Sequence, residues 1–214
     1  MAQNSDTFLD GLVADLQPVR PLRQRTGMVR ALLALMAGPP LLGMAFHLRR
    51  DLWAMHPDPM FLVSAGLFLV LALASAWAAV DMARPWVGTR REGWGWSALM
   101  ASVLPLGALA LALAEWLRGE TVALDADGFN CLTVGCAAAV LTLAVLTVWL
   151  RRGAASNPRR AGLVSGVAAG AAGVFAVSLY CPHNELLHIG FWHAGVVFVM
   201  GLVGLALVPR LIRW

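Results

Sequence analysis

Residues 179–193 read LYCPHNELLHIGFWH, which sets one cysteine, three histidines and a glutamate between two apolar runs. Thiolate and imidazole together suit zinc-like and heavier thiophilic ions. A carboxylate beside an imidazole fixes its tautomer and raises its basicity. The candidate ligands are Cys131, Cys181, His183, Glu185, His188 and His193, with Cys131 and Cys181 as the pair expected to respond to the ion or to an oxidant. Pro182 suits the first turn of a helix, where its missing donor costs nothing. A helix starting there sets Glu185, His188 and Trp192 at i, i+3 and i+7 on one face, with His193 beside them. The spacing matches neither HExxH nor paired CxxC, so the residue types carry the reading more than any signature does.

The elements that must position these groups follow from hydropathy. The chain has 214 residues, 59% hydrophobic and 13% charged, where a soluble domain carries roughly 25% charged residues. Mean hydropathy is +0.71. Six apolar runs, about 28–47, 60–82, 95–117, 130–150, 161–180 and 189–209, are each long enough to cross about 30 Å of hydrocarbon. Helices satisfy their own backbone in lipid, so the expected fold is all-α: a bundle of six transmembrane helices with a short amphipathic helix before it. Residues 1–27 lack the apolar core of a signal peptide.

All sixteen basic residues are arginine, and alanine and glycine abound, as in a GC-rich bacterial genome. The pI near 9.8 reflects short arginine clusters between spans, which is how topology is written, and implies no direct nucleic-acid contact. With the N-terminus cytoplasmic, thirteen arginines fall inside; Arg49, Arg50 and Arg118 alone fall outside. The expected location is therefore the bacterial inner membrane, multi-pass, with both termini cytoplasmic.

This orientation sends the chemistry outward. Cys131 opens the fourth span and Cys181 follows the fifth, so both lie at one depth. Cys136 sits about 7.5 Å deeper at helical rise and reads as a small apolar filler. All five histidines, His47, His56, His183, His188 and His193, fall at or beyond the outer boundary. Three readings stay open: histidines that bond headgroups and loop carbonyls, a structural disulfide in an oxidising compartment, and a site responsive to metal or thiol oxidation. The last requires no cofactor, only a thiophilic ion as signal.

Two spans have internal character. Gly162, Gly166 and Gly170, with Gly173 beyond, line a groove for close helix contact, either within the bundle or between copies. Pro39-Pro40 removes donors in the middle of the first span, which should kink it.

The N-terminal arm has its own pattern. Ser5 can cap a helix with Asp6 in its first turn. Phe8, Leu9, Leu12, Val13 and Leu16 form an apolar stripe, Asp6, Asp10 and Asp15 take the polar side, and Pro18 and Pro21 end the helix. A helix lying on an anionic membrane carries a basic face. This acidic one suits the groove of a basic cytosolic partner, or folds back on the bundle.

The arm FLDGLVADLQPVRPL, six spans with short loops, and CPHNELLHIGFWH together resemble the NrsF-like family. These are integral-membrane anti-sigma factors that control extracytoplasmic-function sigma factors. The resemblance implies that the arm sequesters a sigma factor and that Cys131 and Cys181 matter for signal response. Two other functions compete. A membrane thiol oxidoreductase would use Cys131 and Cys181 but lacks the CxxC pair such chemistry uses. A metal or small-solute transporter would place ionisable groups mid-bilayer, whereas Asp81 and Glu115 lie near span ends. The expectation is a switch, not an enzyme.

Overall fold

Six helices of this chain are long and apolar enough to cross a membrane. The computed structural model describes residues 10–11, 13–14, 22–84, 93–120 and 127–213, and within them every regular element is helical. We number these α1 (Gln24–Gly43), α2 (Arg50–Trp53), α3 (Pro59–Asp81), α4 (Gly93–Leu117), α5 (Gly128–Arg151), α6 (Pro158–Ser178), α7 (Leu186–His188) and α8 (Ala194–Leu211), with a π-helical turn, Ile189–His193, joining the last two. Of the arm, Asp10, Gly11, Val13 and Ala14 are helical and exposed. Asp6, Phe8, Leu9, Leu12, Asp15 and Leu16 lie outside the described residues.

Helix starts follow local chemistry. Asp58 caps α3 by accepting from the Met60 and Phe61 amides at 2.7 and 3.3 Å, with Pro59 at the first helical position. Asn157 and Pro158 repeat the device at α6, where the Asn157 carboxamide accepts from the Arg160 amide at 3.0 Å. The first helix lies one turn N-terminal of the 28–47 expected from hydropathy. Pro39 and Pro40 remove two consecutive donors, and the helix ends at Gly43, within a turn of them. The prolines thus sit near its end, not in its middle.

The hub is α6, whose spanning window is 83% buried, against 11% for the window in α4. Small residues allow this depth. A Cβ on Gly166 would come within 2.1 Å of the Met200 carbonyl oxygen in α8, and one on Gly162 within 2.4 Å of the Gly204 oxygen. On the far side, a Cβ on Gly173 would meet the Gly135 oxygen of α5 at 2.2 Å. The glycine groove is therefore filled from within the chain, where dispersion contacts between backbones replace the hydrophobic effect that lipid does not supply.

The helices share two distinct ends. At the arginine-rich end, the Trp149 indole of α5 donates to the Val80 carbonyl of α3 at 3.2 Å, and Gly27 of α1 packs directly on its ring. The Ala154 amide bonds the Ala83 carbonyl at 2.9 Å. The start of α1 and the end of α8 are at this end. The start of α5, the end of α6 and the π turn meet at the other, which carries the cysteines and histidines.

Candidate functional site

Two sulfurs and two imidazoles converge at this second end. Cys131 lies in the first turn of α5, and Cys181 follows the end of α6, its amide held by the Val177 carbonyl at 2.9 Å. The Cys131 thiol donates to the Cys181 Sγ across 3.3 Å, and His188 Nε2 lies 3.5 Å from the same sulfur. One ligand atom from each of Cys131, Cys181, His188 and His193 lies within 4.8 Å of all the others. A tetrahedral ion with bonds of ~2.0–2.3 Å sets its ligand atoms roughly 3.3–3.8 Å apart, so small side-chain motions close this group on a metal.

The π turn brings the histidines together. In an α-helix, residues five apart point about 140° away from one another. The wider turn over Ile189–His193 carries i→i+5 bonding, and it sets His188 and His193 edge to face on one side. Their ring centroids are 5.1 Å apart at 81°. The sequence offers no signal for this turn.

Burial makes the arrangement costly without a ligand. His188, His193 and Cys181 are 4%, 2% and 4% exposed. Both ring nitrogens of His193 are buried without a hydrogen-bond partner among the described residues, which costs about 1–3 kcal/mol per unsatisfied group. At Cys181, the hydrogen bond from Cys131 outweighs burial and, with His188 and His193 adding to it, holds the thiol well below the ordinary thiol range. A site rich in thiolate character with an unsatisfied imidazole fits a thiophilic cation.

The other expected ligands stand outside this group of four. His183 stacks on His188 with centroids 4.7 Å apart, and its Nδ1 faces the Glu185 carboxylate at 3.5 Å. Glu185 is exposed. Residues 181–185 are not helical, and Glu185 precedes α7 as its N-cap, so Pro182 opens no helix. Trp192 packs on Gly128 at the start of α5 and does not share a ligand face with His188. His47 and His56 are exposed.

Sequence reasoning missed Arg49. Its guanidinium, 7% exposed, bonds Asp51 at 2.7 Å and Asn184 at 2.9 Å and lies 4.4 Å over the Phe61 ring. The Arg49 amide bonds the Leu179 carbonyl at 3.1 Å. These contacts clamp the first loop at this end onto the segment that carries Cys181 and His183. The available signal was its sidedness, as one of three arginines at the arginine-poor end. Tyr180 ties the same segment to α1 by donating its hydroxyl to the Pro39 carbonyl. A cavity of about 210 Å³ between Leu42, Phe46, Val134 and Tyr180 reaches both cysteines.

A family model described as NrsF, negative regulator of sigma F, matches residues 12–214. The chain belongs to this family. A relative from Azospira oryzae, the probable anti-sigma-F factor NrsF, is 30% identical over 182 residues, covering 83% of this chain and 84% of the relative. No solved structure matches. The NrsF description is that of a regulator rather than a catalyst, and six apolar helices agree with a multi-pass membrane protein.

Proposed function

We propose that this NrsF-family chain is an inner-membrane anti-sigma factor with both termini in the cytoplasm. Its arm, residues 1–27, holds an extracytoplasmic-function sigma factor against its acidic, amphipathic face. The arm's Phe8, Leu9, Leu12, Val13 and Leu16 serve as apolar anchors, and Asp6, Asp10 and Asp15 face a basic partner surface. Release follows an event at Cys131, Cys181, His188 and His193 on the periplasmic face. The arginine asymmetry supports this orientation.

The observation that carries the sensing reading is His193, buried with both ring nitrogens unpartnered inside a four-ligand cluster. A zinc-like or heavier ion would take Cys131 and Cys181 as thiolates, releasing their protons, and neutral His188 and His193 as imidazoles. The thiol pair is equally open to oxidation. A peroxide would take two electrons and two protons from the thiols, leaving a disulfide and water. Either event fixes α5 to the end of α6, and Tyr180 passes the change to α1, which leads back toward the arm.

The test uses the full chain in nanodiscs. Cadmium should give thiolate charge-transfer absorbance that is lost in Cys131→Ser and Cys181→Ser. In cells, cadmium or peroxide should induce the sigma factor's genes, and the doubly substituted chain should not respond. Leu12→Asp should weaken sigma-factor capture by ~2–4 kcal/mol, as for a buried anchor, while leaving cadmium binding intact. Normal induction through the double serine variant would leave the cysteines structural.

A further inference from the structure

A cavity of about 570 Å³ lies between α1 and α5 at the arginine-rich end. Among the described residues its lining is apolar except for two guanidiniums, Arg30 and Arg152, and none of it is acidic. Among the described residues neither guanidinium has a carboxylate partner. Arg30 lies 5.8 Å over the Trp149 ring, which holds it at the mouth by a cation–π contact. From Arg152 the lining continues to Leu141, eleven residues or about 16 Å along the helix. That matches one leaflet of hydrocarbon, about 15 Å deep. The rims are open, with Leu33 65% and Leu141 39% exposed, so the groove faces sideways into lipid.

We propose that this groove binds one anionic glycerophospholipid. Its phosphate sits between Arg30 and Arg152, and one acyl chain lies along α5 past Ala144 to Leu141. Charge selects the headgroup, because two guanidiniums with no carboxylate partner among the described residues favour a net negative lipid over a zwitterionic one. Shape selects a lipid over a soluble anion, because the apolar part runs to bilayer depth. The occupant would bridge α1, which leads back to the arm, and α5, which carries Cys131. The binding claim stands whether or not the arm holds a sigma factor.

The experiment is native mass spectrometry of the full chain with equal phosphatidylglycerol and phosphatidylethanolamine. Phosphatidylglycerol should be retained preferentially. Arg30→Gln with Arg152→Gln should cut that retention about 30-fold, about fivefold per guanidinium at a membrane surface. Arg159→Gln with Arg210→Gln removes equal charge away from the groove and should change it by under about twofold. Ala144→Trp, at an exposed position, should expel the bound lipid with the arginines intact. A phosphatidylglycerol carrying a photoreactive acyl chain should label the peptide around Leu141 in the unsubstituted chain. Equal retention of the two lipids, equal loss in the control pair, or labelling confined to other helices would overturn the proposal.

Discussion

The two ends of this bundle solve opposite problems with much the same helices. At the arginine-rich end, Arg151, Arg152, Arg159 and Arg160 are exposed, and the helices meet in an apolar cluster around Val80, Leu146, Trp149 and Val208, tied by the Trp149–Val80 and Ala83–Ala154 hydrogen bonds. These guanidiniums stay at the surface, while Asp81 at the same end is 7% exposed. At the other end polar groups are buried and cross-tied: Arg49 to Asp51 and Asn184, Tyr180 to Pro39, Cys131 to Cys181. Desolvated groups need geometry, and at one of them, His193, neither ring nitrogen has a hydrogen-bond partner within 3.5 Å among the described residues. Sidedness comes from charge count, whereas chemistry comes from burial.

The largest effect expected to sharpen this contrast is at the thiols. Cys181→Ser should lower cadmium or zinc affinity by about 100-fold or more, beyond the 10–100-fold typical of losing a supporting group, measured by competition with a chelator. Arg159→Gln should leave that affinity unchanged. Comparable losses in both would erase the distinction between the ends.

His193→Leu separates a ligand from a structural histidine. Metal affinity should fall about 10–100-fold, yet the metal-free protein should gain about 1 kcal/mol, because buried unsatisfied nitrogens disappear. Thermal unfolding with and without cadmium reads both. A metal-free protein that loses stability instead would show that His193 is satisfied by something other than an ion.

A smaller loss is expected at the clamp. Asn184→Ala or Asp51→Ala leaves the Arg49 guanidinium short of a partner and should cost about 1–3 kcal/mol. The Arg49 hydrogen bond, more than any other influence, lowers the Asp51 pKa from its ordinary 3.8. A carboxyl with a depressed folded value contributes stability that is fully present above its unfolded value and lost as pH falls through the folded one. The difference between the parent and Asp51→Ala should therefore be constant from pH 5 to 8 and shrink only below the ordinary carboxylate range. A difference that changed near neutrality would point to a neighbouring histidine. Smallest of all, Arg159→Gln should alter unfolding by under about 0.5 kcal/mol, as at solvated surface sites.

Much of the architecture was legible because lipid permits few solutions. Six long apolar runs in so uncharged a chain leave helices as the answer, and arginine clusters mark one set of ends. The equal depth of Cys131 and Cys181 also follows from sequence, since one opens a helix and the other follows its antiparallel neighbour. The glycine groove was visible, but its occupant was not. A four-residue spacing of small residues fits a helix of the same chain or of another copy, and only the packing of α8 on α6 decides between them.

What the sequence alone determined about this protein is its class, the number of its spans and which residues gather at which end. Each of these is set by local hydropathy, charge and chain order. Tertiary structure decided which of the gathered groups touch. The π turn over Ile189–His193 brings His193 onto the face of His188, because one widened turn moves every following side chain to a new face, whereas His183 and Glu185 lie in the non-helical segment before it. Arg49 joins the cysteine-bearing segment through the Leu179 carbonyl and through Asn184, the latter 135 residues away. No pattern along the chain encodes that distance, since the contact exists only after the helices have packed.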